Sequence, residues 1–174
     1  KNYWNHRRIR VSGAYENQRT FLIDNRVYRG RAGYHVVTPL KIENSQFHVL
    51  INRGWVPIGS ERNKLPEIVT PTQNVRIIGT ATFPPQGKFE LGPEGEAGPI
   101  RQHLSVERIA AETGFALTPF VILQTERSDE ALVRDWPRPD AGINTHLAYA
   151  LQWYAMAALA AAAWFFMNIK KRTD

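Results

Sequence analysis

His146 is the side chain whose type and position point most directly to chemistry. It stands at the start of an apolar stretch, where an ionisable group is costly unless it has a use or reaches interfacial water. At about 100° per residue, a helix would place aromatic and small residues on its face, namely Tyr149, Ala150, Trp153, Ala157, Ala160 and Trp164. Such a face suits a haem axial site or a helix-packing seam. A histidine that only reaches interfacial water, beside Asn144 and Thr145, is a third interpretation.

Two other histidines lie in consecutive predicted strands. His35 and His48 could face each other across a hairpin and form half of a metal site, or they could be an ordinary half-exposed strand pair. The sequence contains no Gly-rich phosphate loop, His-Glu-x-x-His or Gly-x-Ser-x-Gly pattern. We therefore predict a protein that is not an enzyme, with no catalytic residue and no metal site. A hydrolytic or metal-dependent enzyme would require these two histidines to meet around a metal.

The segment Asn52-Arg53-Gly54-Trp55-Val56-Pro57 is the candidate partner-binding site. Arg53 and Trp55 are residue types that anchor protein interfaces. A strand end that turns on Gly54 and buries a core tryptophan explains the same residues equally well. Both interpretations stay open at the level of sequence.

Composition and charge exclude several classes of protein. The chain of 174 residues has no cysteine, which removes disulfides, thiolate metal sites and cysteine nucleophiles. Residues 1–31 carry eight Lys or Arg and two acidic residues, whereas residues 32–169 carry 11 basic and 13 acidic residues. We therefore expect no nucleic-acid partner. The basic N-terminal region is either a solvated strand face or a surface that attracts anionic lipid or another anionic ligand.

The C-terminal stretch predicts a transmembrane helix. No Asp, Glu, Lys or Arg occurs from Ala141 to Ile169, and the 21 residues Leu147–Met167 would span about 31 Å as a helix. The basic cluster at 170–172 follows aromatic residues, as is typical of a cytoplasmic membrane interface. The preceding domain would then lie in the periplasm or intermembrane space, so we expect a signal or a first span before Lys1.

The body of the chain predicts a mainly β (α+β) fold. Strand-like stretches occur at 9–15, 20–23, 33–40, 47–51, 75–83 and 120–124, with Asp24 and Asn25 as turn residues. A single helical stretch begins at the possible cap Ser105 and ends before Gly114. We predict a small antiparallel sheet or partly closed barrel with one short helix, plus the C-terminal transmembrane helix. The boundaries are 1–128 for the extracytoplasmic domain, 129–143 for a linker, 144–169 for the membrane helix and 170–174 for a cytoplasmic tail.

Five blocks of the sequence, in order, resemble a known family. They are residues 10–15, 22–26, 33–40, 49–57 and 146–154. Together they resemble the surfeit locus protein family of cytochrome c oxidase assembly factors. The specific blocks are Asn-Arg-Gly-Trp at 52–55 and His-x-x-Tyr-Ala-x-x-Trp at 146–153.

The resemblance implies an inner-membrane protein, bacterial or mitochondrial, that helps to mature the haem-containing subunit of the terminal oxidase. It implies that subunit as a partner, with a haem a synthase as a further candidate, alongside membrane lipid. It also implies haem a as a transient cofactor with His146 as its axial ligand. Tyr149 and Trp153 are expected as haem-facing neighbours from helical geometry. The competing hypothesis is a cofactor-free membrane-tethered scaffold that steadies an oxidase assembly intermediate through Trp55 and the basic arginines.

Overall fold

The computed structural model describes residues 5–59, 65–84, 98–126, 131–136 and 143–170, and in the last range it describes the side chains of 149–168. The chain divides into two compact units, Lys1–Trp136 and Pro137–Asp174. The first unit is built from strands and one helix among its described residues, and the second contains a long helix.

The described part of the first unit has seven strands. They are β1 (Arg8–Tyr15), β2 (Phe21–Tyr28), β3 (Arg31–Ile42), β4 (His48–Pro57), β5 (Val75–Thr82), β6 (Ile100–Arg101) and β7 (Leu117–Gln124). A 3-10 turn covers Asn17–Arg19, and helix α1 covers Val106–Thr113.

Five of these strands close into a barrel. Their order around the barrel is β1-β5-β7-β4-β3, and β3 pairs with the end of β1 to complete the ring. β4 and β7 run parallel, while the other neighbouring pairs in the ring are antiparallel. β2 extends the sheet from the other edge of β3, and β6 pairs with β2. The predicted mainly β class is confirmed, and the barrel is closed.

Strand β4 is buried on both of its faces. Val49 and Ile51 belong to one apolar cluster with Leu40, Ile77 and Ile122, which fills the barrel. The alternate residue Leu50 points the other way, into an outer cluster with Phe21, Ile23, Val37, Val106, Ile109 and Val121. The unbroken apolar run at 49–51 therefore has a physical reason, because neither face of β4 meets water.

Helix α1 covers the outer cluster and has the ends that its sequence predicts. The Ser105 hydroxyl accepts a hydrogen bond from the backbone N–H of Arg108 at 3.2 Å, and Gly114 ends the helix in the left-handed conformation at φ 71°. Val106 and Ile109, three positions apart, are its buried residues.

Two predicted strand ends are wrong. Asp24 and Asn25 do not turn the chain: β2 passes through them with a register shift between Ile23 and Arg26 and continues to Tyr28. Asn25 takes a positive φ of 57°, a conformation that asparagine tolerates well. β4 likewise does not end near Asn52, because the bulge at Arg53 lets it continue to Pro57.

Residues 131–136, which we call the strap, lie on the barrel. Val133 forms a bridge with Trp55 through two backbone hydrogen bonds of 2.8 and 2.9 Å. The Arg134 Nε donates to the carbonyl of Arg53 at 2.7 Å, and the Trp136 Nε1 donates to the carbonyl of Gln124 at 2.7 Å. The first compact unit thus extends to Trp136 and includes residues that sequence analysis placed in the linker.

The second unit contains helix α2, Ile143–Lys170. Its 20-residue stretch Tyr149–Asn168 is long and apolar enough to cross a membrane, since it corresponds to about 30 Å. Within the described residues it is the one helix with this property.

Candidate functional site

His146 lies in the first turn of α2. Its backbone is helical, and its side chain lies outside the described residues. Tyr149 and Trp153 follow it at three and seven positions along the helix, which corresponds to rises of about 4.5 and 10.5 Å. Because seven residues make almost two helical turns, the positions of His146 and Trp153 share one side of the backbone.

The aromatic side chains after His146 are exposed. Tyr149 is 60% exposed and Trp153 is 67% exposed, and Trp164 at the far end is 65% exposed. Between the two tryptophans the sequence places mostly alanine and other apolar residues. α2 therefore carries exposed aromatic rings beside small side chains, a surface suited to lipid, to a flat apolar ligand or to another helix.

Arg53 lies inside the barrel domain, with 0% of its surface exposed. Its Nη1 donates to the Thr70 hydroxyl at 2.6 Å and its Nη2 to the Val69 carbonyl at 2.6 Å. The guanidinium also stacks over the Tyr15 ring, 4.9 Å from the ring centre. Arg53 thus ties the segment 69–70 to strand β4.

Trp55 is also a packed side chain, with 6% of its surface exposed. Its Nε1 donates to the Arg26 carbonyl at 2.8 Å, and its ring lies 5.4 Å from that of Tyr28. Gly54, between these two residues, has a φ of 146° and faces the strap, and a Cβ there would come within 2.8 Å of the Val133 carbonyl oxygen. The segment 53–55 is therefore built to hold the chain that leads to α2. Partner binding by Arg53 or Trp55 stays a prediction, and neither side chain offers a free surface in this conformation.

His35 and His48 do not meet. His35 pairs with Trp55 and His48 pairs with Lys41, so that six positions of β3, about 20 Å, separate them. No group of three or more His, Cys, Asp or Glu residues that could hold a metal occurs within the described parts of the chain. The arrangement that a metal-dependent enzyme at these histidines requires is thus missing.

Each of the two histidines has a packing role. His35 contacts Asn52 at 3.4 Å and lies edge-on to the Trp136 ring at 5.3 Å. Burial, with a smaller contribution from the Arg26 charge, lowers the pKa of His35 from 6.5 to about 4. His48 stacks on Phe115 at 4.2 Å and lies 3.4 Å from the Glu16 carboxylate. Burial lowers the pKa of His48 despite that carboxylate.

Sequence reasoning missed the strap and the segment that covers Arg53. The turn-rich stretch at 65–74 has no strand or helix pattern, and its contact with Arg53 joins positions 16 and 17 residues apart. The signal that was available is Gly54 itself, since a glycine inside a strand pattern often marks a bulge or a close approach of another backbone.

The chain matches the model of the SURF1 family over residues 1–158. It belongs to the SURF1 family. The SURF1 family implies a role in the assembly of cytochrome c oxidase, as an assembly factor rather than a catalytic enzyme. A comparison with curated proteins gives no match.

The match of the SURF1 family includes the barrel, the strap and the first half of α2. His146, Tyr149 and Trp153 all fall within it. The candidate site on α2 and the packed Arg53–Trp55 segment are therefore both parts of the region by which this SURF1 protein is recognised.

Proposed function

We propose that this SURF1 protein holds haem a on α2 and passes it to the haem-containing subunit of cytochrome c oxidase. The observation that carries the proposal is the exposed aromatic surface of α2 directly after His146. The imidazole of His146 would hold haem a, which would supply an iron centre when bound. Tyr149 and Trp153 would cover the apolar macrocycle, and the alanines beyond them would let helices of the oxidase approach.

A single protein ligand suits a carrier. The sequence of α2 contains one histidine, so the described helix provides no second imidazole that would hold the iron from the other side. A site with one protein ligand releases its cargo more readily than a two-ligand site. The protein would therefore bind haem a and transfer it, and it would make or break no covalent bond of haem a.

The membrane part of the proposal rests on the length and composition of α2. The basic residues at 170–172 favour a C-terminus on the cytoplasmic or matrix side of the inner membrane, by the excess of Lys and Arg typical of that side. The barrel domain would then face the periplasm or the intermembrane space. A haem a synthase is a candidate donor on this route.

The first test is an optical spectrum of the full-length protein purified from membranes of a host that makes haem a. We expect a haem a spectrum in the parent, its loss in His146→Ala and its retention in His103→Ala, which replaces an exposed histidine of the barrel domain. Stoichiometric haem a in the His146→Ala protein would refute the assignment. If parent and variant are both colourless and both retain the oxidase subunit, the cofactor-free scaffold is the better description.

A matched pair of tryptophans tests the position of the site. Trp153 and Trp164 are 67% and 65% exposed on the same helix, but Trp164 lies eleven positions further along, or about 16 Å. We expect Trp153→Leu to lower haem occupancy several-fold and Trp164→Leu to leave it unchanged. Equal losses of haem occupancy in both variants would show that the substitutions disturb the helix as a whole rather than a binding site next to His146.

A further inference from the structure

The tip of the β2–β3 hairpin has an unusual composition. Tyr28 pairs with Arg31, and the two residues between them, Arg29 and Gly30, have φ values of 47° and 77°. A two-residue turn with both φ angles positive favours Asn-Gly or Gly-Gly. Arginine is a poor choice for this conformation, so its presence points to a requirement for its charge rather than for the turn.

The side chains at this tip combine charge with exposed apolar surface. Val27 is 67% exposed, and Arg29 and Arg31 on the two sides of the turn are exposed as well. The Arg29 guanidinium lies over the Tyr28 ring at 5.3 Å. Residues 25–32 of the sequence contain three arginines and no acidic residue.

Two carboxylates lie on or against this hairpin, and neither forms an ion pair with Arg29 or Arg31 among the described residues. The Asp24 carboxylate accepts from the backbone N–H of Asn25 at 2.6 Å, and the Asp135 carboxylate accepts from the Tyr28 hydroxyl at 3.2 Å. Three arginines at the tip (Arg26, Arg29 and Arg31) outnumber these two carboxylates, so the tip carries a net positive charge that suits an anionic partner.

The same contact connects the tip to the chain that enters the membrane. Asp135 belongs to the strap, and only residues 137–142 separate the strap from the first residue of α2. The seven steps from Trp136 to Ile143 can extend over at most about 25 Å. If α2 is a membrane anchor, as proposed above, this short connection limits how far the strap can lie from the start of α2 and keeps the bilayer within reach of the tip.

We propose that the tip of the β2–β3 hairpin docks on the anionic head groups of the bilayer in which α2 is anchored. Arg29 and Arg31 bind lipid phosphates, Val27 enters the head-group layer, and Tyr28 occupies the interface that tyrosine favours. This contact gives the barrel a defined orientation on the membrane. This proposal goes beyond the binding of haem a and rests only on the membrane anchoring of α2.

The absence of cysteine from the sequence makes a direct test possible. Ala32→Cys, at an exposed position opposite Val27, carries an environment-sensitive fluorophore without replacing Val27, Arg29 or Arg31. The control is Gln46→Cys, an exposed position in the turn that follows the other end of β3. β3 has 12 residues, or about 40 Å. The full-length proteins are placed in nanodiscs of phosphatidylcholine, with or without phosphatidylglycerol, that contain a head-group nitroxide quencher.

We expect strong quenching at position 32 in discs with phosphatidylglycerol, several-fold weaker quenching in phosphatidylcholine alone or at high salt, and little quenching at position 46. Arg29→Gln with Arg31→Gln should abolish the difference. Equal quenching at both positions, or quenching at position 32 that ignores phosphatidylglycerol, would overturn the proposal. So would quenching that appears only when the oxidase subunit is present, which would make the tip a protein-binding surface.

The readouts separate the two proposals. Failure of the protein to enter nanodiscs would overturn the anchoring of α2 and the docking of the tip together. Entry into nanodiscs without quenching at position 32 would overturn docking alone. Neither result depends on the haem spectrum, which tests His146.

Discussion

Replacing Gly54 with alanine should detach the strap and destabilise the barrel domain. Gly54 has a φ of 146°, and a Cβ would approach the Val133 oxygen to 2.8 Å and the Leu132 Cβ to 2.9 Å. Backbone strain of this kind costs about 1–3 kcal/mol. If the strap also moves away to relieve the clash, the two hydrogen bonds between Val133 and Trp55 are lost as well, at about 1 kcal/mol each. Because the positive φ remains unfavourable for alanine, the two losses add to about 3–5 kcal/mol.

Gly114→Ala provides a matched control. Gly114 also has a positive φ, 71°, but a Cβ there would meet no atom within 4 Å. Its alanine variant should therefore carry the conformational penalty alone, about 1 kcal/mol. The difference between the two variants combines the close approach of the strap with the larger backbone cost of φ 146° for alanine.

Urea unfolding of the full-length protein in detergent, followed by tryptophan fluorescence, measures both variants. Trypsin provides a second readout, because Arg134 in the strap is bonded to the Arg53 carbonyl and should become a cleavage site only when the strap is released. A Gly54→Ala protein no less stable than Gly114→Ala, with unchanged cleavage at Arg134, would refute the structural role assigned to this glycine.

Three further variants test the packing of the barrel domain. Arg53→Met should lower the free energy of unfolding by about 2 kcal/mol, because the Thr70 and Val69 oxygens lose their donors. The control Arg76→Met, at an exposed position, should change it by less than about 0.5 kcal/mol. Urea midpoints compare the two variants, and equal effects would contradict the argument from burial. The pKa of His35 falls from 6.5 to about 4 on folding, so the unfolded state binds more protons between these values and stability should fall as the pH drops from about 6.5 to 4. His35→Phe should reduce this dependence of stability on pH, measured as urea midpoints over a pH series. An unchanged dependence would show that other titratable groups cause it. Ser105→Ala removes the N-cap hydrogen bond of α1 and should lower the free energy of unfolding by about 1 kcal/mol. An unchanged urea midpoint would contradict this role of Ser105.

The sequence block that resembles the SURF1 family most specifically also has a structural role in the barrel domain. The Asn-Arg-Gly-Trp block that carries the resemblance is also the point where β4 bulges and the strap is held. This explains why arginine and tryptophan, residue types that suit an interface, are found inside the domain. Arg53 has internal oxygens as its partners, and Trp55 has the Arg26 carbonyl.

Much of the fold was accessible from local patterns. Alternating apolar residues predicted most of the strands, Ser105 and Gly114 marked the ends of α1, and the uncharged stretch before residue 170 predicted α2. These features depend on hydrophobic period, capping and length, which are properties of neighbouring residues. The exposed Tyr149 and Trp153 follow from the same helical period.

Other features exist only because distant segments meet. The sequence could not show that Asn25 sits at an irregularity within β2, that β1 and β3 close the barrel, or that Thr70 lies over Arg53. The strap is the clearest case, since residues 131–136 have no strand pattern and are held by Trp55, Arg53 and Gln124. Local sequence by itself determined most of the strands, α1 and the apolar helix with its histidine. Tertiary packing decided that Arg53 and Trp55 face inward, because only the assembled barrel supplies the oxygens and the apolar surface that make their burial favourable.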